Sequence, residues 1–224
     1  MRAYLAAAAT LLFCVLNLTA ARLDWPVHPG VFKMLASTSF LAAAWFAGAR
    51  HSRYGLAIFA GLFFSWWGDY FLIGSGDGRF LAGLVSFFLA HVVYCIAYGL
   101  RGANWKRSII PMGALLIPGG FVLRWLWPGI PADMRIPVIA YMIVISLMVA
   151  LAIGTTGKSG SALIILGAIL FYFSDIFVAR ARFVESGPIN SLIGLPLYFG
   201  GQVLLALSIA YVKTPPDDQT PSSA

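Results

Sequence analysis

Residues 61–74 read GLFFSWWGDYFLIG, and residues 167–180 read GAILFYFSDIFVAR. Each stretch is almost entirely apolar, and each contains one aspartate, Asp69 or Asp175. An ionised carboxylate at the centre of a bilayer costs roughly 3 kcal/mol on insertion scales, and such residues usually have partners or a function. The two aspartates are therefore our first candidates for a functional site.

The composition of the whole chain is that of a polytopic membrane protein. Its 224 residues are 60% hydrophobic and 10% charged, with a mean hydropathy of +0.87, whereas a soluble domain is about 25% charged. We predict an all-α membrane helix bundle of about eight transmembrane helices, with a single domain over residues 1–212 and a disordered tail over residues 213–224. The apolar segments are 4–20, 31–48, 54–74, 80–99, 109–127, 137–153, 162–178 and 192–212.

The first segment has a second interpretation, as a cleaved signal peptide, because residues 18–20 read LTA and end in small side chains. Only Arg2 precedes this segment, and its apolar stretch is longer than is usual in a signal peptide. These features favour a membrane helix.

The net charge of +7 comes from basic residues scattered singly at segment ends. This distribution is typical of the flanks of membrane helices and does not indicate a nucleic-acid partner. The N-terminus, the even-numbered loops and the tail carry eight Lys or Arg residues, and the odd-numbered loops with their flanks carry seven. We expect an integral protein of the bacterial inner membrane with both termini in the cytoplasm.

The sequence predicts no metal site. Cys14 and Cys95 lie in apolar segments without a CxxC motif, and the three histidines form no HxxxH motif. A GxSxG nucleophile motif is also absent from the sequence.

A spacing of 106 residues relates the two aspartate stretches. Gly61, Asp69 and Phe71 each have an identical residue 106 positions later, at Gly167, Asp175 and Phe177. Four helices separate the two copies, so both run in the same direction. This pattern predicts a parallel four-helix repeat of the kind found in some transporters.

Polar residues on several segments are predicted to converge on one pocket. The aspartates fall near the ends of the third and seventh segments, on the side of the odd-numbered loops, and Lys33 enters from that side too. Helical spacing places His91 and Tyr94 on one face of the fourth segment, and Tyr198 and Gln202 on one face of the eighth. Arg79 and Arg182 lie at the same end, and the seven-residue spacing predicts that Arg182 pairs with Asp175.

Each of these residues also has a purely structural interpretation. A buried aspartate can pair with a lysine or an arginine, a histidine can bond a backbone carbonyl group, and tyrosines often only pack. The convergence of polar groups from different helices favours a functional site. Its mouth is expected to open towards the odd-numbered loops.

Three motifs resemble those of the lysoplasmalogenase family of membrane proteins, also called YhhN-like. They are FSWWGDYFL at 64–72, the Arg79-Phe80 pair that opens the segment with His91 and Tyr94, and FYFSDIFVARARF at 171–183. Lys33 also matches a family lysine, although Met34 follows it where the family commonly has proline. The resemblance implies eight membrane helices, no cofactor, and hydrolysis of the vinyl ether bond of lysoplasmalogens to a fatty aldehyde and glycerophosphoethanolamine or glycerophosphocholine.

Two carboxyl groups suit this chemistry, because an enol ether is cleaved by delivering a proton to carbon and adding water to the resulting cation. The sequence does not say which aspartate takes which role. We favour Asp69 as the acid, because Trp66, Trp67 and Ile73 are expected to surround it, and Asp175 as the anion, because Arg182 is expected to keep it charged. The remaining candidates have assisting roles. His91 or Tyr94 orients water or the ether oxygen, Lys33, Arg79 and Arg182 grip a phosphate headgroup, and Tyr198 and Gln202 complete the binding site.

Two other classes of protein remain open at this point. Intramembrane charges and an internal repeat also occur in transporters and lipid carriers. An intramembrane aspartyl protease would require two aspartates that share a proton, and the motifs around Asp69 and Asp175 do not match that class. The resemblance favours the hydrolase, with a lysophospholipid as substrate and the bilayer as its surroundings.

Overall fold

The computed structural model describes residues 1–23 and 25–212, and this part of the chain is all-helical. Short connections and three single-turn 3₁₀ segments join the helices, and a fourth 3₁₀ segment follows the last helix. The predicted all-α bundle is confirmed, and the proposed tail over residues 213–224 lies outside the described residues. The helices are α1 (Arg2–Ala20), α2 (Pro29–Phe46), α3 (Arg53–Phe71), α4 (Asp77–Leu100), α5 (Trp105–Leu126), α6 (Arg135–Gly154), α7 (Ser161–Phe183) and α8 (Pro188–Ser208).

Six of the described helices, α1 and α4 to α8, are long and apolar enough to cross a membrane. The other two, α2 and α3, carry Lys33 and Asp69, and these charged side chains lower their hydropathy. Each of the two packs one face against other helices, α2 against α1, α3 and α8, and α3 against α4. Lys33 and Asp69 form an ion pair between these two helices.

Side-chain caps explain where several helices begin. The Nδ1 atom of His28, the hydroxyl of Ser52 and the amide oxygen of Asn104 accept hydrogen bonds from the first backbone N–H groups of α2, α3 and α5. These N–H groups have no partner inside their own helix. Pro188 occupies the first position of α8, where its fixed φ is compatible with a helix and its missing N–H costs nothing.

The helix contacts agree in part with the predicted repeat. Consecutive helices pack in pairs, α1 with α2, α3 with α4, α5 with α6, and α7 with α8. Four contacts join the halves of the chain, α2 with α8, α4 with α6, α1 with α8, and α3 with α8. If α1–α4 correspond to α5–α8, the first two of these contacts are equivalent to each other.

Two repeat-related glycines occupy corresponding close contacts. A Cβ atom at Gly61 on α3 would lie 2.4 Å from the ring of Tyr94 on α4. A Cβ atom at Gly167 on α7 would lie 2.9 Å from the side chain of Leu205 on α8. Both distances are shorter than a Cβ contact allows, so each glycine permits its helix to approach the next one closely.

The main apolar core lies between the helices and includes Phe40, Tyr94, Phe171 and Phe199. In contrast, α5 lies at the edge of the bundle, where few of its residues are buried. This arrangement leaves a cavity between α5 and the helices that carry the polar residues.

Candidate active site

A cavity of about 600 Å³ lies among α4–α8, the end of α3 and the start of α2. Its wall is mostly apolar, with side chains such as Phe87, Leu123 and Ile145. Ser75 and Gly187, from the loops after α3 and α7, line one end of it. The cavity is therefore next to odd-numbered loops, on the side where the sequence places the mouth.

Asp69 lies on the cavity wall but is only 1% exposed. The hydroxyls of Ser37 and Tyr198 each donate to its Oδ2 atom at 2.6 Å, and the Nζ atom of Lys33 lies 3.2 Å from its Oδ1 atom. Lys33 and Ser37 are four residues apart on α2, so both face α3. Asp69 therefore has three donors, one of them cationic, which is the environment of a carboxylate that only accepts hydrogen bonds.

Asp175 lines the same cavity and has different neighbours. The hydroxyl of Tyr141 donates to its Oδ2 atom at 2.6 Å, and the hydroxyl of Ser174 lies 3.4 Å from its Oδ1 atom. The Nε2 atom of His91 lies 3.7 Å from the Oδ2 atom. Among the described residues, no lysine or arginine forms an ion pair with this carboxyl group.

The orientation of His91 bears on the proton of Asp175. The Nδ1 atom of His91 contacts the backbone carbonyl oxygen of Phe87, and a carbonyl oxygen can only accept, so Nδ1 carries a proton. In a neutral imidazole the other nitrogen, Nε2, is then an acceptor, and it faces Asp175. An acceptor in this position suits a protonated carboxyl group better than an ionised one.

The predicted pairing of Arg182 with Asp175 is wrong. Arg182 instead forms an ion pair with Asp77 at the start of α4, and its guanidinium carbon lies 4.8 Å from the centre of the Phe80 ring. Seven residues correspond to about 10 Å along a helix, and the long side chain of Arg182 extends towards the loops and away from Asp175. The reason for treating Asp175 as the anion is therefore lost.

The predicted aromatic surroundings of Asp69 are also wrong. The indole N–H of Trp66 donates to Thr38 at 3.1 Å, and Trp67 is 38% exposed at the surface of the bundle. Because Asp69 contacts a cation and two hydroxyls, the reason for treating it as the acid is lost as well.

The other predicted residues divide into those on the cavity wall and those outside it. Lys33, Tyr198 and Arg182 line the cavity, and His91 lies directly behind Asp175. Tyr94 and Gln202 lie deeper in the bundle, where the Tyr94 hydroxyl donates to the Gln202 side chain at 2.9 Å. Arg79 is exposed at the start of α4, beside Gly74 and outside the lining.

The structure adds Ser37 and Tyr141 to the predicted residues. Asp69 on α3 receives its donors from α2 and α8, and Asp175 on α7 is contacted from α6 and α4. These sets of helices correspond under the predicted repeat. The repeat could therefore have pointed to Tyr141, because it implies that α6 provides a hydrogen-bond donor to Asp175 as α2 does to Asp69. The signal for Ser37 was its spacing of four residues from Lys33.

Polar pairs surround the end of the cavity next to the loops. Arg180 donates to Asn190 at 2.7 Å and to Glu185 at 2.6 Å, and Arg182 is paired with Asp77. Asn190 and Arg182 line the cavity at this end. Within residues 1–23 and 25–212, no group of three His, Cys, Asp or Glu side chains is placed to hold a metal ion.

The described residues form eight packed helices with a pair of aspartates on the wall of one cavity, which is the architecture of an integral membrane protein. Residues 30–209 match the YhhN family, and the chain belongs to this family.

The chain is also similar to several curated proteins. Lysoplasmalogenase TMEM86A of Bos taurus is 29% identical over 173 residues, which cover 75% of this chain and 70% of that protein. The Homo sapiens TMEM86A is 29% identical over 169 residues, which cover 70% of this chain and 67% of that protein. Lysoplasmalogenase TMEM86B of Rattus norvegicus is 32% identical over 129 residues, which cover 58% of this chain and 52% of that protein. No solved structure matches the chain.

Proposed function

We propose that this protein hydrolyses the vinyl ether bond of lysoplasmalogens, releasing a fatty aldehyde and glycerophosphoethanolamine or glycerophosphocholine. The relatives named lysoplasmalogenases support this activity and favour it over a lipid carrier. The observation that carries the proposal is that Asp69 and Asp175 line one largely apolar cavity. A volume of about 600 Å³ is within the usual range for a site that binds a small molecule.

In this proposal, the two aspartates take the opposite roles to those expected from the sequence. Asp175 is the acid, because His91 presents an acceptor to it and no Lys or Arg among the described residues is paired with it. Asp69 is the anion, because Lys33 and two hydroxyls donate to it. Two carboxyl groups with different neighbours divide acid and base functions in the same way in other hydrolases.

The reaction begins with proton transfer from Asp175 to the alkenyl carbon that is not bound to oxygen. The other alkenyl carbon becomes an oxocarbenium ion, and the negative charge of Asp69 stabilises it. Asp69 then takes a proton from the water molecule that adds to this carbon, which gives a hemiacetal.

Collapse of the hemiacetal restores the initial protonation states of both carboxyl groups. The bond between the former alkenyl carbon and the glycerol oxygen breaks, and Asp69 returns its proton to that oxygen. The hemiacetal hydroxyl loses its proton to Asp175 as the aldehyde carbonyl forms. One water is consumed in each turnover, and no cofactor enters the reaction.

The cavity suggests how the substrate lies. The alkenyl chain packs among the apolar side chains contributed by α5, α6 and α7, and the headgroup remains near the loop end, where Arg182 and Asn190 line the cavity. The guanidinium of Arg182 suits a phosphate group. Binding of the phosphate would compete with Asp77 for this guanidinium.

The test uses a pair of substrates that differ only at the scissile bond. Purified protein in detergent is given lysoplasmalogen or the matching lysolipid with a saturated ether, and the reaction is run in D₂O. We expect aldehyde from the vinyl ether alone, with one deuterium on the carbon next to the carbonyl group, because only an alkene accepts a proton at carbon.

Equal cleavage of the saturated ether, or aldehyde without that deuterium, would overturn the proposed chemistry. A protein that released no aldehyde but moved lysolipid across liposome membranes would be a carrier.

A further inference from the structure

A second group of buried polar side chains lies behind the cavity, between α3, α4 and α8. We call it the polar column and define it as Tyr54, Ser65, Tyr94, Tyr98 and Gln202. Every member of the column is 3% exposed or less. A group of buried hydroxyl and amide side chains is unusual inside a membrane bundle, because each polar atom there needs a hydrogen-bond partner.

The column begins at the proposed active site. Tyr198, whose hydroxyl donates to Asp69 at 2.6 Å, lies one turn from Gln202 on α8 and close to its side chain. Gln202 accepts from the Tyr94 hydroxyl at 2.9 Å, and Ser65 lies beside the same hydroxyl. Asp69 is thus connected through hydrogen-bonding groups to the interior of the bundle.

The column ends at the opposite side of the molecule. Tyr54, at the start of α3, shares a hydrogen bond of 2.6 Å with Ser208. The guanidinium carbon of Arg101 lies 5.7 Å from the centre of the Tyr54 ring, and Arg101 donates to a carbonyl group of the even-numbered loop after α6. Asp69 and Tyr54 are separated by 15 residues of α3, or about 22 Å, which is most of the roughly 30 Å of a hydrocarbon core.

Unpaired polar atoms are concentrated along this column. Six buried side-chain nitrogen or oxygen atoms of the described residues have no hydrogen-bond partner in the protein, and four of them belong to Ser65, Tyr98, Gln202 and the adjoining Arg101. Leaving such an atom unpaired costs about 1–3 kcal/mol. Internal water molecules usually satisfy atoms of this kind.

We propose that the polar column binds a file of internal water molecules that connects Asp69 with the even-numbered loops. The role of this water file rests on the proposed hydrolysis, which consumes one water molecule in each turnover. A lysolipid in the cavity fills the apolar space between Asp69 and the odd-numbered loops, and so displaces water from that direction. The column supplies the reacting water from the other side.

Hydroxyl-radical footprinting of the purified full-length chain tests this inference directly. Radicals produced by X-rays from bound water modify side chains next to it, even where bulk solvent does not reach. Tyr94 and Tyr98 are expected to be modified, although both are 0% exposed. Phe40 and Phe199 are equally buried aromatic residues outside the column, and they are expected to remain unmodified.

A pair of serine variants locates the water. Ser65→Ala removes an unpaired hydroxyl of the column and is expected to reduce the modification of Tyr94 to the level of Phe40. Ser86→Ala is the matched control, because the Ser86 hydroxyl already donates to a backbone carbonyl of its own helix at 2.8 Å. This control variant is expected to leave Tyr94 modified as in the wild type.

The inference is overturned if Tyr94 and Tyr98 of the wild type are modified no more than Phe40 and Phe199. This comparison needs no variant and no catalysis, so it separates the water file from the proposed function. Modified tyrosines in a protein that releases no aldehyde would retain the water file and reject the hydrolase. Aldehyde release with unmodified tyrosines would retain the hydrolase and reject the water file.

Discussion

Asp69 and Asp175 carry the same carboxyl group, but their partners differ. Asp69 contacts the cation of Lys33 and two hydroxyls, whereas Asp175 contacts Tyr141 and faces the Nε2 atom of His91. The assignment of Asp175 as acid and Asp69 as anion follows from these neighbours. Each neighbour can be removed separately, which makes the assignment testable one residue at a time.

The pairing of Lys33 with Asp69 leads to the first prediction. Lys33→Met leaves the Asp69 carboxylate buried without a cation, which is expected to destabilise the fold by about 3 kcal/mol and to reduce aldehyde release. Adding Asp69→Asn removes the unpaired charge, so the double variant is expected to recover most of the lost stability and none of the activity. Thermal unfolding in detergent and turnover of lysoplasmalogen measure the two effects.

Lys158→Met is the control for this experiment, because Lys158 is exposed in an even-numbered loop. A Lys33→Met protein as stable and active as the control would contradict the ion pair.

The hydrogen bond from Tyr141 leads to the second prediction. In the proposed reaction, this bond stabilises the Asp175 carboxylate that remains after proton transfer. Tyr141→Phe is therefore expected to lower kcat about tenfold, with little change in KM, because the lost bond matters mainly in the transition state. Steady-state kinetics with lysoplasmalogen measure both constants, and Tyr70→Phe, a change at an exposed tyrosine, is the control. A rise in KM with an unchanged kcat would assign Tyr141 to substrate binding.

At the scale of residues, the sequence identified both aspartates and Lys33 through the rarity of charge in apolar segments. It could not assign their partners, because those lie on helices distant in the chain. Arg182 shows the limit clearly. Helical spacing placed it on the face of Asp175, but a long side chain can turn along the helix axis, and Asp77 on α4 is its partner.

At the scale of helices, the boundaries were largely predictable because polar and Pro/Gly residues punctuate the apolar segments. The seventh helix is the main exception, since it continues to Phe183 and not only to residue 178. Arg180 and Arg182 lie in its last turn, where cations interact favourably with the helix dipole. A basic residue in the sequence therefore did not mark the end of this helix.

The close packing of repeat-related helices leads to the third prediction. Gly61→Ala places a Cβ atom 2.4 Å from the Tyr94 ring, so α3 and α4 must separate. We expect the free energy of unfolding to fall by about 2 kcal/mol and Tm to fall by roughly 6 °C. Differential scanning fluorimetry in detergent measures this change.

Gly113→Ala is the matched control, because Gly113 also lies inside a helix but has open space around its Cβ position. Alanine favours a helix over glycine by about 1 kcal/mol, so this variant is expected to be unchanged or more stable. Equal destabilisation by both substitutions would contradict the packing explanation.

At the scale of the whole molecule, the cavity and the polar column lie towards opposite ends of the bundle. The cavity is next to the odd-numbered loops, and the column extends to the even-numbered side. The excess of basic residues in the N-terminus, even-numbered loops and tail is one residue, eight against seven. We propose on this basis that the even-numbered loops lie in the cytoplasm and that the cavity faces the other side of the membrane.

Cysteine labelling tests this orientation and is the fourth prediction. In a background with Cys14 and Cys95 replaced by alanine, Ser186→Cys marks an odd-numbered loop and Thr156→Cys marks an even-numbered one. A membrane-impermeant maleimide added to intact bacterial cells is expected to label the first cysteine, and to label the second only after permeabilisation. The reverse pattern would place the cavity on the cytoplasmic side.

The bundle and its family could be predicted from the sequence because hydropathy, spacing and short motifs all carry that information. The cavity could be predicted only as a convergence of polar residues. Its apolar wall is formed by α4 to α8, whose apolar side chains look like those of any membrane helix. The polar column could not be predicted, since tyrosines in apolar segments usually only pack.

The most direct test of the central claim is the rate of aldehyde release from lysoplasmalogen by purified protein in which each cavity aspartate is replaced. Asp69→Asn and Asp175→Asn are each expected to lower turnover at least about 100-fold, because each removes an acid or base function. Asp133→Asn, a change at an exposed aspartate, is expected to retain the wild-type rate. Undiminished turnover by a protein that lacks both cavity carboxyl groups would contradict the account.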